Sequence, residues 1–406
     1  MKISILLRTR VVILCCVVFL IPLALKQAVA KQPGVSFVEI SNMEEDWSNM
    51  YRIGDYRYDF RDVAEGKSSL ELIPDEVDGF AGVEHYMFPM NLSLHGIRFF
   101  MKSNDWDLLY SFVITFHTYG DWNDYFYLEL VWKLSEKPNN EWIEVTLSPS
   151  EFTKVGNPTW QSINKVTFRA DVNPGMGCQV KVDALSCFFN RQQPAVSIVF
   201  DDGQISTMIA KAVMDEYHIA GSLFVIPTYL SEPGFINQEM VDLLHDGGWD
   251  IGGHGDTVLT ELTEDKLHDE FLSTKTYLES HHYKGGNIYA LPYGVYNQRV
   301  LEIGKQYFSW IRPNDNLNQP SGYIPSYRMN SRSITSRTTA NEVKEWIDRA
   351  KEHGDWVILV FHRIDNKLVY DTDYLESAFR EIIQYTLDSG VPIMPMSAYL
   401  KNYSSQ

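Results

Sequence analysis

Ser197-Ile198-Val199-Phe200-Asp201-Asp202-Gly203 decides how the second half of this chain is built. A short run of apolar, β-branched residues enters two acids and a glycine. A buried parallel strand has that pattern when its carboxyl end delivers charge into a cleft. An acid–glycine pair after a strand also makes an ordinary turn. Consecutive strand residues face opposite ways, so both acids reach one site only if the backbone turns at Asp202-Gly203.

Outward from this stretch, short apolar runs alternate with amphipathic ones as far as the C-terminus. Strands are expected at 196–200, 221–226, 249–252, 287–291, 308–312, 327–334, 356–361 and 392–396. Helices are expected at 208–217, 238–244, 264–280, 298–307, 340–353 and 374–389, several of them ending at glycine or a turn. Such repetition predicts a parallel sheet closed as an α/β barrel, with its chemistry at the carboxyl ends of the strands. Four strand ends then converge on one mouth: Asp201-Asp202, His254, Pro292-Tyr293-Gly294 and His362. A lone histidine after an apolar strand, as His362 is, serves as often in structure as in catalysis; the four together, in this order, specify a site. Arg312 follows another strand and either orients Asp201 or belongs to a turn. His281 and His282 read as a solvated helix end, and His268 as a surface residue.

Upstream, residues 36–189 read as β without long helices. The stretches 108–117 and 125–134 are aromatic and β-branched, while 142–147, 165–169 and 178–188 alternate, and loops of Gly, Asn, Asp and Pro separate them. This predicts an antiparallel β-sandwich, jelly-roll-like, ending at the polar, proline-terminated link 190–194. The chain is thus read as multidomain: a leader at 1–30, a β-sandwich and possible carbohydrate-binding domain at 31–190, and an α/β barrel at 191–406. Aromatic faces stack on sugar rings. Phe112, Phe116 and Trp132, in mid-strand, suit a core better, whereas Trp106 and Trp122 lie beside Asp and Asn in loops and are the better ligand candidates.

The 406 residues carry 35 basic and 53 acidic side chains, a net charge of −18. No Lys/Arg cluster exists to meet phosphates, which argues against nucleic acid and anionic membrane surfaces as partners. Lys2, Arg8 and Arg10 precede an apolar run from Val11 to Leu25, and Ala28-Val29-Ala30 offers small residues for cleavage. That is a secretory leader rather than a membrane span, so export to the cell envelope or beyond is expected, without stable membrane insertion after cleavage. Removing its four basic residues takes the net charge to −22. Cys178 and Cys187 then remain, nine positions apart in a strand-like stretch. Extended chain of that length spans roughly 30 Å, against the ~4.4–6.8 Å of a disulfide, so both are expected to be free thiols.

On Phe200-Asp201-Asp202-Gly203, Tyr289-Ala290-Leu291-Pro292-Tyr293-Gly294 and the apolar strand ending in His362, residues 190–406 resemble the polysaccharide deacetylase family, the NodB-homology family 4 carbohydrate esterases. The resemblance covers about half of the chain. The Pro292-Tyr293-Gly294 version, without the arginine of many members, is similar to the branch acting on poly-N-acetylglucosamine. Residues 141–188 resemble the closing strands of jelly-roll carbohydrate-binding modules, on Pro158-Thr159-Trp160 and Val182-Asp183-Ala184-Leu185. The first resemblance implies a NodB-type barrel that removes N- or O-linked acetyl groups from a polysaccharide. It implies Asp201 as general base and His362 as general acid. It implies Asp202 and His254 as ligands of a divalent metal, Zn²⁺ or similar, that activates the attacking water. The backbone N–H of Tyr293, beside Pro292, would help hold the oxyanion. One motif departs from the family. His254-Gly255-Asp256-Thr257-Val258 carries valine where a second ligand histidine is usual, and two protein ligands fall short of three. Asp256 either supplies a replacement oxygen or is a solvated loop acid. A barrel without metal, hydrolysing C–N bonds as cofactor-independent allantoinases do, and a binding protein that has lost catalysis both stay open.

Overall fold

The computed structural model of the chain describes residues 34–404, apart from 45, 131–136 and 192. The expected leader at 1–30, Trp132 and part of the stretch 125–134 lie outside the described residues.

Residues 37–189 form β1 (Phe37–Ser41), β2 (Trp47–Asn49), β3 (Asp55–Asp59), β4 (Ser69–Ile73), β5 (Phe80–Met90), β6 (His95–Ser103), β7 (Leu109–His117), β8 (Tyr125–Glu129), β9 (Ile143–Leu147), β10 (Thr153–Val155), β11 (Ile163–Val172) and β12 (Val180–Phe189). They make two antiparallel sheets. One runs β3-β4-β12-β6-β9, with β1 also on β12; the other runs β10-β8-β7-β11-β5-β2. Alternation builds both. Along β11, Val166, Phe168 and Ala170 enter the core, while Lys165, Thr167 and Arg169 occupy the opposite face. The two sheets share that core, and the rings of Phe99 and Phe168, one from each sheet, meet at 5.5 Å. Cys178 and Cys187 are buried free thiols, as their spacing predicts.

Beyond the link come β13 (Ala195–Phe200), β14 (Ser222–Val225), β15 (Asp250–His254), β16 (Ile288–Ala290), β17 (Trp310–Arg312), β18 (Arg332–Ser333) and β19 (Trp356–Phe361). All are parallel, in the order β17-β16-β15-β14-β13-β19-β18. Interleaved are α1 (Thr207–Asp215), α2 (Gln238–Asp246), α3 (Glu264–Ser280), α4 (Gln298–Gly304), α5 (Ala340–His353), α6 (Glu376–Ser389) and α7 (Met396–Ser404). Every residue of β13 and β19 is buried, which is why their sequences are apolar without alternation. Val196, Ile198 and Phe200 pack beneath the helices, while Ala195 and Val199 face an inner cluster closed by Met396, Tyr399 and Leu400 of α7. α5 begins on a capping box between Thr339 and Glu342 and ends at Gly354 with φ 78°.

Three expectations change. The sheet curls, but among the described residues no ladder joins β17 to β18. Its edges are bridged instead by the strap 313–331, through the Ile311 N–H donating to Ser326 O (2.8 Å) and the Met329 N–H donating to Ile311 O (3.3 Å). The strand expected over 327–334 shrinks to Arg332–Ser333: around Asn330 and Ser331 the bonds involve side chains, and the contacts with Ile311 are too few to make a ladder. The strand expected at 392–396 is a single bridge at Ile393 followed by α7, since Pro392 and Pro395 cannot donate to a ladder.

The strap also ties the second unit to the first. Arg332 pairs with Glu151 at 2.5 Å, and Asp315 with Lys137 at 2.6 Å. Asn330 Nδ2 donates to Thr146 O at 3.0 Å, and Leu317 sits inside the core of the antiparallel sheets.

Candidate active site

The turn that the first quoted stretch requires is present: Asp202 has φ 70° and Gly203 φ 75°. An aspartate in this left-handed region is uncommon and costs conformational energy. The result is that Asp201 and Asp202, which would diverge along a straight strand, face one cavity of about 430 Å³. His254, Tyr293, Arg312 and His362 reach the same cavity from the ends of β15, β16, β17 and β19, and Pro292 lines it too. The glycines before His254 are required by packing. A β-carbon on Gly252 would stand 2.5 Å from the Phe224 ring, and one on Gly253 2.7 Å from Thr274.

Asp201 is buried and clamped. Arg312 Nη2 donates to its Oδ1 at 2.6 Å and its Oδ2 at 2.7 Å, which settles the choice between orienting residue and turn for Arg312. Arg312 is itself buried, over the Phe224 ring at 5.1 Å. Asp202 Oδ1 lies 3.3 Å from His254 Nε2. His254 Nδ1 is 2.8 Å from Ala290 O, so that nitrogen carries a proton and donates it. Burial pushes the Asp202 carboxyl up, but the hydrogen bond and charge of His254 outweigh it and hold the group below the ordinary carboxylate range. Burial pushes the His254 imidazole down, and the hydrogen bond it donates to Asp202, with the charges of both aspartates, turns the balance upward. The Nδ1 of His362 is buried without a hydrogen-bond partner among the described residues.

Tyr293 also has a left-handed backbone, φ 58° and ψ 2°, between Pro292 and Gly294. Its ring is 68 % exposed and its hydroxyl donates to Asp256 O at 3.4 Å. Asp256 stands on the exposed rim beside Tyr229, whose hydroxyl hydrogen-bonds to it and is thereby pushed above the usual phenol range. Sequence reasoning missed Tyr229. It lies just past the end of β14, the same position relative to its strand that singled out the other residues.

A divalent metal finds two donors here, Asp202 Oδ1 and a histidine whose Nδ1 hydrogen bond leaves Nε2 turned toward it. Gly255–Val258 is a bend leading into a short 3₁₀ turn, and Val258 is not among the cavity's lining residues. Asp256 faces the two tyrosines. Among the described residues no cluster of three His, Cys, Asp or Glu side chains converges. The residues present do not fit a three-ligand catalytic metal.

Of the loop tryptophans, Trp122 is 43 % exposed, stacked near Tyr51 and against the Lys165 ammonium. Trp106 is buried, its Nε1 donating to Pro138 O, and belongs to the core. His268 bonds to the Tyr307 hydroxyl and His281 stacks on Tyr283, both away from the cavity.

Residues 190–307 match the family model for polysaccharide deacetylases. No curated protein matches the chain. Among solved structures, the peptidoglycan deacetylase PdaC of Bacillus subtilis is 18 % identical over 53 % of this chain and 93 % of its own, with a TM-score of 0.35. A family 4 carbohydrate esterase of Streptomyces lividans is 16 % identical over 48 % and 90 %, with a TM-score of 0.34. A family 11 carbohydrate-binding module of a Clostridium thermocellum cellulase is 12 % identical over 39 % and 96 %, with a TM-score of 0.30. On the family match, the stretch that carries Asp201, Asp202, His254 and Tyr293 is a polysaccharide deacetylase domain.

Proposed function

We propose that this chain hydrolyses acetyl groups, N- or O-linked, from a polysaccharide of the cell envelope or its surroundings. In this reading residues 31–190 are a jelly-roll-like sandwich that holds the glycan and residues 191–406 are the catalytic barrel. The single observation that carries it is the clamp of Arg312 on Asp201 beside Asp202 and His254, within the stretch that matches the deacetylases.

The steps follow from the side chains. Asp201, fixed by Arg312, takes a proton from a water molecule as that water attacks the acetyl carbonyl. The tetrahedral oxyanion forms beside the backbone N–H of Tyr293, a residue that lines the cavity. His362, across the cavity, gives a proton to the departing nitrogen or oxygen, and acetate is released. Asp202 and His254 bind and orient the water. They are two of the ligands a divalent ion would use, and the resemblance to metal-dependent relatives supports a weakly held ion there. Trp122, stacked near Tyr51 and sharing the Lys165 ammonium with Tyr86, supports glycan stacking on the outer face of the second sheet. Among the described residues no helix is long and apolar enough to cross a membrane. Export rests on the leader expected at 1–30.

The test is acetate release from acetylated chito-oligosaccharides, acetylated xylan and peptidoglycan, with Asp201→Asn as control. Wild type is expected to release acetate from at least one, and Asp201→Asn to be slower by about 10²–10⁴-fold while still unfolding in one cooperative transition, at a lower midpoint because Arg312 loses its buried partner. Equal turnover by the variant would remove Asp201 as base. Silence of the wild type on all three would overturn the reading.

A further inference from the structure

A second cleft, of about 670 Å³, opens between the two units and takes no part in the chemistry above. Its volume lies within the ~300–1,000 Å³ of ordinary small-molecule sites. Phe100 and Trp142 line it from the antiparallel sheets; Tyr296, Tyr323, Tyr327 and Arg328 line it from the second unit. Both units thus contribute aromatic rings to its walls.

The polar groups are what identify the occupant. Arg328 is 8 % exposed, and its Nη2 donates to Asp315 Oδ2 at 3.1 Å. Its Nε and Nη1, and the hydroxyl of Tyr296 (2 % exposed), make no hydrogen bond of full geometry among the described residues; the guanidinium and that hydroxyl face each other only loosely. Buried donors are rarely left so in folded chains. Charge, by contrast, is already balanced. Asp315 sits between Arg328 and Lys137. Glu144 is met by Arg98 and by the Tyr323 hydroxyl, Glu302 by Lys305, and Glu141 accepts the N–H of Gln298 at 2.6 Å. Among the described residues each cation at the cleft already faces a carboxylate. Buried donors behind aromatic faces, with carboxylates at the rim, suit a neutral ring bearing many hydroxyls: its C–H face stacks, its hydroxyls meet the rim carboxylates, and a small shift of Arg328 brings its donors to the ring oxygens. The cleft is also next to the catalytic loop, since Tyr296 is two residues beyond Gly294.

We propose that this cleft is a second glycan subsite, which grips a neutral stretch of the same polysaccharide away from the acetyl group being removed. The proposal rests on the polysaccharide reading above. It also gives the two units a joint task, because neither alone builds the cleft.

The test is calorimetric titration of the full chain with N-acetylglucosamine hexamer and with acetylated xylohexaose, each compared with its dimer. Wild type is expected to bind at least one hexamer at least tenfold more tightly than the dimer. Tyr327→Ala and Trp142→Ala are expected each to weaken hexamer binding at least tenfold. Tyr327 is half-buried with its ring at the cleft, so if Trp142→Ala fails to fold, Tyr327→Ala decides alone. Hexamer affinity unchanged in the folded variants, or no binding of either hexamer by wild type, would overturn the subsite. Acetate release by wild type is scored separately. Its loss with cleft binding intact counts against the catalytic reading alone, and its presence with variant binding unchanged counts against the cleft alone.

Discussion

Asp202 carries the positive φ that lets two neighbouring carboxylates share a cavity, and Arg312 fixes the first of them. Both partners of the Arg312–Asp201 pair are buried. Removing one partner of a buried pair leaves an uncompensated charge, at a cost of roughly 3–5 kcal/mol. Arg312→Gln is therefore expected to lower the urea midpoint by an amount corresponding to that loss; a change below about 1 kcal/mol would show that water already reaches Asp201. The other pair sets the metal expectation. With only Asp202 and His254 converging, Zn²⁺ is expected to bind no more tightly than about 1 μM in a calorimetric titration, and His254→Ala to abolish the binding. Nanomolar affinity would mean that a third donor joins them when metal arrives.

At the level of elements, β13, β19, α3 and α5 were legible because their order is local: apolar runs in the strands, a 3.6-residue period in the helices, and in α5 a cap at each end. The four strand ends that meet at the cavity were legible for the same reason, each being an interruption in such a run. The strap 313–331 was not. Its Asn, Gln and Ser side chains bond to backbone far away in sequence, as Asn330 does to Thr146, and no periodicity records that. The joint between α5 and β19 is a similar case. Burial pushes the Asp355 carboxyl from 3.8 up to about 7, despite hydrogen bonds from Ser148, Ser150 and Asn190. The folded state therefore keeps a proton that the unfolded chain releases. Its contribution to stability is complete below about pH 4, falls as pH rises toward 7 and is exhausted above it. Urea midpoints are expected to decline across that window in wild type, and less in Asp355→Asn. Parallel slopes for the two proteins would remove Asp355 as the source.

For the whole molecule, sequence texture suggests two self-contained units, while the structure joins them through buried polar contacts. Deleting residues 31–190 strips Arg332 of Glu151 and Asp315 of Lys137. Asp315 keeps Arg328, but the loss at Arg332, at roughly 3–5 kcal/mol, together with the exposure of Leu317, is a large share of the ~5–15 kcal/mol that holds a typical domain folded. The fragment 191–406 is expected to be insoluble or to melt without cooperativity. A soluble fragment with a sharp transition would show that the joint is dispensable.

Leu317 is among the strap residues buried in the core of the antiparallel sheets. That contact spans much of the chain, so the first unit cannot reach its final packing until residue 317 has been synthesised. A nascent chain stopped at the link would hold the sheets with a gap where Leu317 belongs, and with Glu151 and Lys137 lacking their later partners. Contacts of such long range slow folding and prolong the exposure of sticky surface. For a chain expected to be exported, that delay is useful. In the export proposed above, a first half that has not yet set is one that can still be threaded across a membrane, and it sets only when the second half arrives.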